Sequence, residues 1–131
     1  MANLKIDISL GEAIDRLTIL RIKLSKITQE EKLRNVSHEH DLLLESVENY
    51  CSENSVSVPD ALSKELQQVN RALWDVEDQL RDFERASTFA EAFIQKAREV
   101  YILNDKRAKI KKQINLSTNS NLIEEKSYAP Y

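Results

Sequence analysis

Three pairs of carboxylates stand three residues apart in this chain: Glu12 with Asp15, Glu45 with Glu48, and Asp75 with Asp78. On a helix that spacing puts both groups on one face, where they could hold Mg²⁺ together. Towards the other end, Asn104, Arg107 and Lys111 share a helical face and could seat phosphate or another anion. A metal held by Glu12, Asp15 and Glu48, with Arg107 and Lys111 on phosphate, would suit hydrolysis of a nucleotide or nucleotide sugar. Other chemistry is poorly served. His38 and His40 lie on different sides of a helix, and no Cys or acid completes a zinc set. No Ser-His-Asp or Cys-His arrangement has local support. Nothing basic flanks Cys51 within residues 49–55 to lower its pKa, so it reads as an inert thiol at a helix end.

The elements that must position these groups are long helices. Leu62, Leu66, Val69, Leu73, Val76, Leu80 and Phe83 recur every three or four residues, as one apolar stripe does on a helix. Leu33, Val36, His40, Leu43, Val47 and Tyr50 repeat the pattern. One Gly and two Pro in 131 residues leave turns of positive φ nearly out of reach, so the chain must use few elements and few connections. Strands are not expected. The spacing predicts helices over about 9–27, 29–50, 59–85 and 88–115, with a tail over 116–131. Ser9 with Glu12 forms a capping box for the first helix, Pro59 starts the third, and Thr88 with Glu91 caps the fourth. Residues 51–57 form the longest internal loop. Short connections at 28–30 and 86–88 favour antiparallel neighbours, so the expected fold is all-α, an up-down-up-down four-helix bundle in one domain, 1–131, with a docked C-terminal tail.

In that topology the start of helix one, the end of helix two, the start of helix three and the end of helix four share one end of the bundle, called basal below. At about 100° per residue, Asn104, Arg107 and Lys111 fall inside the apolar sector of helix four defined by Phe93, Ala97, Val100 and Ile114. Arg107 therefore points inward and needs a carboxylate, and Glu12, Asp15, Glu45 and Glu48 are all expected at this end. Arg21, in the main stripe of helix one, needs one too. Two readings follow: an internal ion network that fixes helix register, or a pocket for an anion. Ile19 and Ile22 lie off the main stripe of helix one, so either that helix is central or the pair makes a homodimer or protein-partner interface. Trp74 flanks the stripe of helix three as a core-edge residue.

Charge is uneven. Residues 60–84 carry seven acids against three bases, and residues 91–112 carry seven bases against three acids. Folding the hairpin about residue 87 sets Lys106 to Lys112 opposite 62–68 and leaves the basic cluster partly unpaired, as a solvated face or a landing site for phosphate or an acidic partner. The tail carries Leu122, Ile123, Tyr128 and Tyr131, which favours docking over exposure. Folded back at the basal end, Glu124 or Glu125 would give Arg107 or Lys111 a carboxylate, and the tyrosines would cover the site.

Composition bounds the function classes. At 41% hydrophobic and 31% charged residues the chain suits a folded soluble protein of one core. A net charge of −3 gives no reason to expect nucleic acid as a partner. No window approaches the roughly 18 apolar residues of a membrane span. A single cysteine and no signal-peptide pattern suit the reducing cytoplasm. No cofactor is expected, apart from Mg²⁺ if the chain is a hydrolase.

The acid pairs resemble the E-x-x-E and E-x-x-D motifs of all-α nucleotide pyrophosphohydrolases, which bind a divalent metal on a helical bundle, without the denser acidic set of that full pattern. A broader resemblance covers nearly the whole chain. The blocks GEAIDRLTIL (11–20), LWDVED (73–78), NDKRAKIK (104–111) and EEKSYAPY (124–131) are similar to those of an uncharacterised bacterial family, domain of unknown function 6165. The resemblance implies a family, not an activity, and gives no catalytic residues to carry over. Its members keep company with surface-polysaccharide and glycosyltransferase genes, which implies a role near nucleotide sugars or glycan assembly; from its own residues the chain is expected to be a non-catalytic cytoplasmic binding or accessory module with the polar basal cluster as its ligand or partner site. The family's polar positions include Glu12, Asp15, Asn104, Asp105, Arg107, Lys111 and Tyr128, the candidate ligand-binding set.

Overall fold

Ser9 sets the first helix. Its backbone is extended, and its hydroxyl oxygen accepts from the Glu12 amide at 3.1 Å, satisfying one of the donors that a helix start leaves unpaired. Only half of the expected capping box forms, because the Glu12 carboxylate turns away to Arg16 and Lys111. The computed structural model describes residues 2–131, in which four helices follow one another: α1 (Leu10–Lys26), α2 (Glu30–Asn54), α3 (Asp60–Arg85) and α4 (Glu91–Ser117). Residues 2–9 and the tail beyond residue 121 adopt no regular secondary structure.

Two boundaries differ from expectation by three residues or more. Helix α2 continues through Asn54, since Ser52, Glu53 and Asn54 face water and have no packing reason to stop the helix. Helix α4 starts at Glu91, with Ala90 in the cap position and no side-chain cap. Thr88 does not cap it, because its hydroxyl donates instead to the Ala86 carbonyl at 3.3 Å.

Composition leads to the expectation that turns of positive φ are nearly out of reach; the structure contradicts it, because non-glycine residues take them. Ser55, Ser87 and Asn119 have φ of 54°, 52° and 54°, and each ends a helix. In α2 the Val56 amide donates to the Cys51 carbonyl at 3.0 Å and the Ser55 amide to Ser52 at 3.4 Å. Thr88 to Phe83 and Ser87 to Glu84 repeat this pair at the end of α3, and Ser120 to Asn115 and Asn119 to Leu116 repeat it in α4. These are Schellman closures, whose hydrogen bonds to the last carbonyls offset the left-handed backbone strain.

Packing centres on α1. It lies against α2, α3 and α4, and α3 also packs on α4, whereas α2 approaches only α1 at backbone distance. Nine of the 17 residues of α1 are buried, against two of 25 in α2. The doubly apolar character of α1 therefore reflects a central helix. Ile22 is 1% exposed within the chain's own interior, so it is not a free surface for a second copy, and Ile19 is half-buried. The main core joins all four helices through Leu10, Ala13, Ile14, Leu17, Val47, Leu66, Val69, Ile110 and Ile114. Contacts run Gly11 to Asn115 and Asp15 to Arg107 between α1 and α4, and Asp15 to Asn70 and Lys26 to Asp75 between α1 and α3. The first series is antiparallel and the second parallel, as up-down-up-down connectivity requires.

The tail returns along α4. Glu124 reaches Lys111 and Glu125 reaches Lys112, each at 3.0 Å, and the Tyr131 ring meets Tyr101 edge-on with centroids 5.2 Å apart. It docks by charge and one ring contact. Apolar burial is not the cause, since Leu122 and Ile123 stay exposed and Tyr128 is 80% exposed.

Candidate functional site

Asp15 is the anchor of the basal end. It is fully buried, and a buried carboxylate persists as an anion only when its oxygens are paired. Arg107 supplies a two-pronged match: Nε donates to Oδ1 at 2.9 Å and Nη2 donates to Oδ2. Asn70 Nδ2 donates to the same Oδ1 at 2.8 Å and to Thr18 Oγ1 at 2.7 Å, while the Thr18 hydroxyl donates to the Asp15 carbonyl at 2.7 Å. Among the described residues no buried side-chain polar atom lacks a partner. Arg107 is thus held rigidly from behind, and its bonds to Asp15 raise its pKa against the desolvation that accompanies burial.

Lys111, one turn further along α4, has three carboxylates around it. Its Nζ lies 2.6 Å from Glu12, 3.0 Å from Glu124 and 3.9 Å from Asp15. Only 12% of its side chain is exposed. Burial opposes its charge, and hydrogen bonds from Lys111 to Glu12 and Glu124, with Asp15 nearby, outweigh burial and raise its pKa above 10.5. Glu124 is correspondingly lowered from 4.5, by Lys111 first and then Lys126. The Asp105 carboxylate beside Tyr131 raises the phenol above its ordinary 10.0.

These groups border a cleft of about 540 Å³ between α4 and the tail. Of the expected set, Asn104, Asp105, Arg107, Lys111 and Tyr128 line it directly. Glu12 and Asp15 stand behind the two cations. Asn104 is exposed, not buried in the apolar sector of α4; it sits at the rim shared with a second cleft, which Ile19, Trp74 and Arg107 also line. Glu45 and Glu48 do not join the cluster. Both are exposed on α2, and among the described residues no three His, Cys, Asp or Glu side chains are grouped to hold a metal ion. Arg21 is exposed as well, because beyond Leu17 the buried face of α1 turns to Thr18, Leu20 and Ile22.

Sequence reasoning missed the polar core: Thr18, Asn70 and Asn115, all 5% exposed or less. Asn70 directly follows Val69 in the stripe of α3, and a polar residue inside an apolar stripe was the available signal. Asn115 explains the chain's single glycine. The Gly11 amide donates to Asn115 Oδ1 at 2.7 Å, and a Cβ at Gly11 would lie 2.5 Å from the Lys111 carbonyl oxygen. The glycine serves a close helix crossing, with Asn115 capping the α1 start from another helix.

No helix among the described residues is long and apolar enough to cross a membrane. No curated protein and no solved structure matches the chain. One family model does, over residues 4–131, from before α1 to the last tail residue, and so takes in the buried Asp15 network, the two cations and the tail that closes on them. On that match the chain belongs to the Family of unknown function (DUF6165).

Proposed function

We propose that the chain is a non-catalytic cytoplasmic binding or accessory module, whose cleft between α4 and the tail receives an anionic ligand. The observation that carries this reading is the placement of Arg107 and Lys111. Both line the cleft, and both are fixed from the interior side by Asp15 and Glu12, so neither must be ordered when a ligand arrives. Glu124 occupies Lys111 from the tail and acts as an internal stand-in for that anion. A phosphate or carboxylate exchanges with Glu124 and leaves the pairs with Asp15 and Glu12 intact. Tyr101, Tyr128 and Tyr131, also in the lining, offer ring faces to a sugar or base, so a nucleotide sugar suits the mixture. A setting in surface-polysaccharide or glycosyltransferase systems is consistent with that chemistry.

A divalent-metal-dependent hydrolase using Glu12, Asp15 and Glu48 has less behind it, because cations already engage both α1 carboxylates and Glu48 stands apart on α2. The test is thermal unfolding with inorganic phosphate, nucleoside diphosphates and nucleotide sugars, each with and without Mg²⁺. A ligand at about a hundred times its Kd adds roughly 2.7 kcal/mol and raises Tm by several degrees. Glu124→Gln should tighten binding by removing the competing carboxylate, and Lys111→Met should abolish it. A Mg²⁺-dependent shift lost in Glu12→Gln would favour the hydrolase; no shift with any anion would sink the ligand reading.

A further inference from the structure

The segment before α1 does not belong to a helical protein by its pattern. Leu4, Ile6 and Ile8 alternate with Asn3, Lys5 and Asp7, the period of a strand with one apolar face. There is no strand for it to pair with among the described residues. Among the described residues, no backbone-to-backbone hydrogen bond outside the helices involves residues 2–8. Leu4 is 89% exposed, Ile6 66% and Ile8 36%, a gradient that shows the segment leaving the bundle surface. An alternating apolar segment with free backbone donors and acceptors is a template for another strand.

We propose that the partner is a second copy of this chain, with the two N-terminal segments joined as an antiparallel two-stranded ribbon whose two-fold axis passes through Ile6. The sequence fits itself in that register. Ile6 meets Ile6 of the other copy, Leu4 meets Ile8, and on the opposite face Lys5 meets Asp7 twice, once on each side of the axis. Moving the axis to Lys5 sets Lys5 against Lys5, and moving it to Asp7 sets Asp7 against Asp7. A shift of one residue mixes the apolar and polar faces. Parallel pairing in register also sets like charges opposite each other, so only one register satisfies both faces.

A two-stranded ribbon alone is marginal in water and needs backing on its apolar side. The bundle offers it. Ile6 and Ile8 border a groove of about 450 Å³ that Leu43, Val47, Tyr50 and Leu122 also line, and Tyr50 and Leu122 are 40% and 43% exposed. Each copy thus presents apolar surface continuous with its own strand, and the same patch serves both copies, as an isologous contact requires.

The experiment is sedimentation equilibrium of the untagged full chain with single and paired charge reversals. Residues 5 and 7 are exposed and lie outside every helix, so the fold is not at stake, and circular dichroism checks that. The unaltered chain should dimerise. Lys5→Asp alone and Asp7→Lys alone should each weaken the dimer by about tenfold, since each sets like charges across both sides of the axis. Lys5→Asp with Asp7→Lys in one chain restores opposite charges and should restore the dimer. In a Cys51→Ala background, Ile6→Cys should form a disulfide-linked dimer on mild oxidation, whereas Leu4→Cys alone should not. The proposal is overturned by a chain that stays monomeric at all concentrations, by a dimer indifferent to single reversals, or by a double reversal no better than either single one.

Discussion

At the scale of the residue, the decisive object is Asp15, and its burial makes one consequence measurable. Two sequence-level readings of Arg107, a register-fixing ion network and an anion pocket, meet in one side chain: its Nε and Nη2 hold Asp15, and the same guanidinium lines the cleft. Arg107→Met strands a carboxylate that is 0% exposed, and removing one partner of a buried ion pair costs about 3–5 kcal/mol. Denaturant unfolding should show that loss. Asp15→Asn combined with Arg107→Met should recover much of it, because the amide keeps a bond to Asn70 and no charge is left alone. Equal stability of the two variants would mean that Arg107 does not neutralise Asp15. Stability and anion binding are therefore separable only in the double variant. The need for an acid near Arg107 was legible from its place in an apolar sector. Which of the expected acids would meet it was not, since Asp15 and Glu48 differ only by which helix packs closely against α4.

At the scale of the element, helix ends and the tail carry the testable physics. Ser55 and Ser87 hold a left-handed backbone where glycine is free of Cβ strain, and both are exposed. Ser55→Gly and Ser87→Gly should each stabilise by about 0.5–1 kcal/mol, net of the extra freedom glycine gains in the unfolded chain. Asn119→Gly should gain less, because asparagine tolerates that conformation; a loss of Tm in the serine variants would refute the strain account. The tail responds to pH at both limits. Glu124 is lowered by Lys111 and Lys126, so its contribution is present above its ordinary 4.5 and lost as pH falls through the lowered value. Tyr131 is raised by Asp105, so its contribution is present below 10.0 and lost as pH rises through the raised value. Amide NMR shifts of residues 124–131 should move to free-chain values at both extremes, with Glu124→Gln removing the acid limb and Tyr131→Phe the alkaline one. Movement at neither extreme would exclude charge-based docking.

At the scale of the whole molecule, the bundle is lopsided: α1, α3 and α4 form a mutually packed unit, and α2 comes within backbone distance of α1 alone. With two buried residues in 25, α2 should open in a sub-global step below the free energy of complete unfolding. Native-state hydrogen exchange checks this, and α2 amides as protected as those of α3 around Leu66 and Val69 would contradict it. Apolar periodicity determined by itself that the described residues form four helices, roughly where they lie, and that they alternate in direction, because a 3.6-residue period and short connections are local properties of the chain. The basic cluster and the tail acids that meet it were legible too, as uneven charge along the chain. Three things were decided only in the tertiary structure. The first is the central place of α1, since a helix apolar on two sides does not say which neighbours fill them. The second is the polar core of Thr18, Asn70 and Asn115, whose partners lie 52 to 104 residues away. The third is the separation of Glu48 from Glu12 and Asp15, because spacing fixes which side chains share a helical face, and only the packing of whole helices fixes which faces meet.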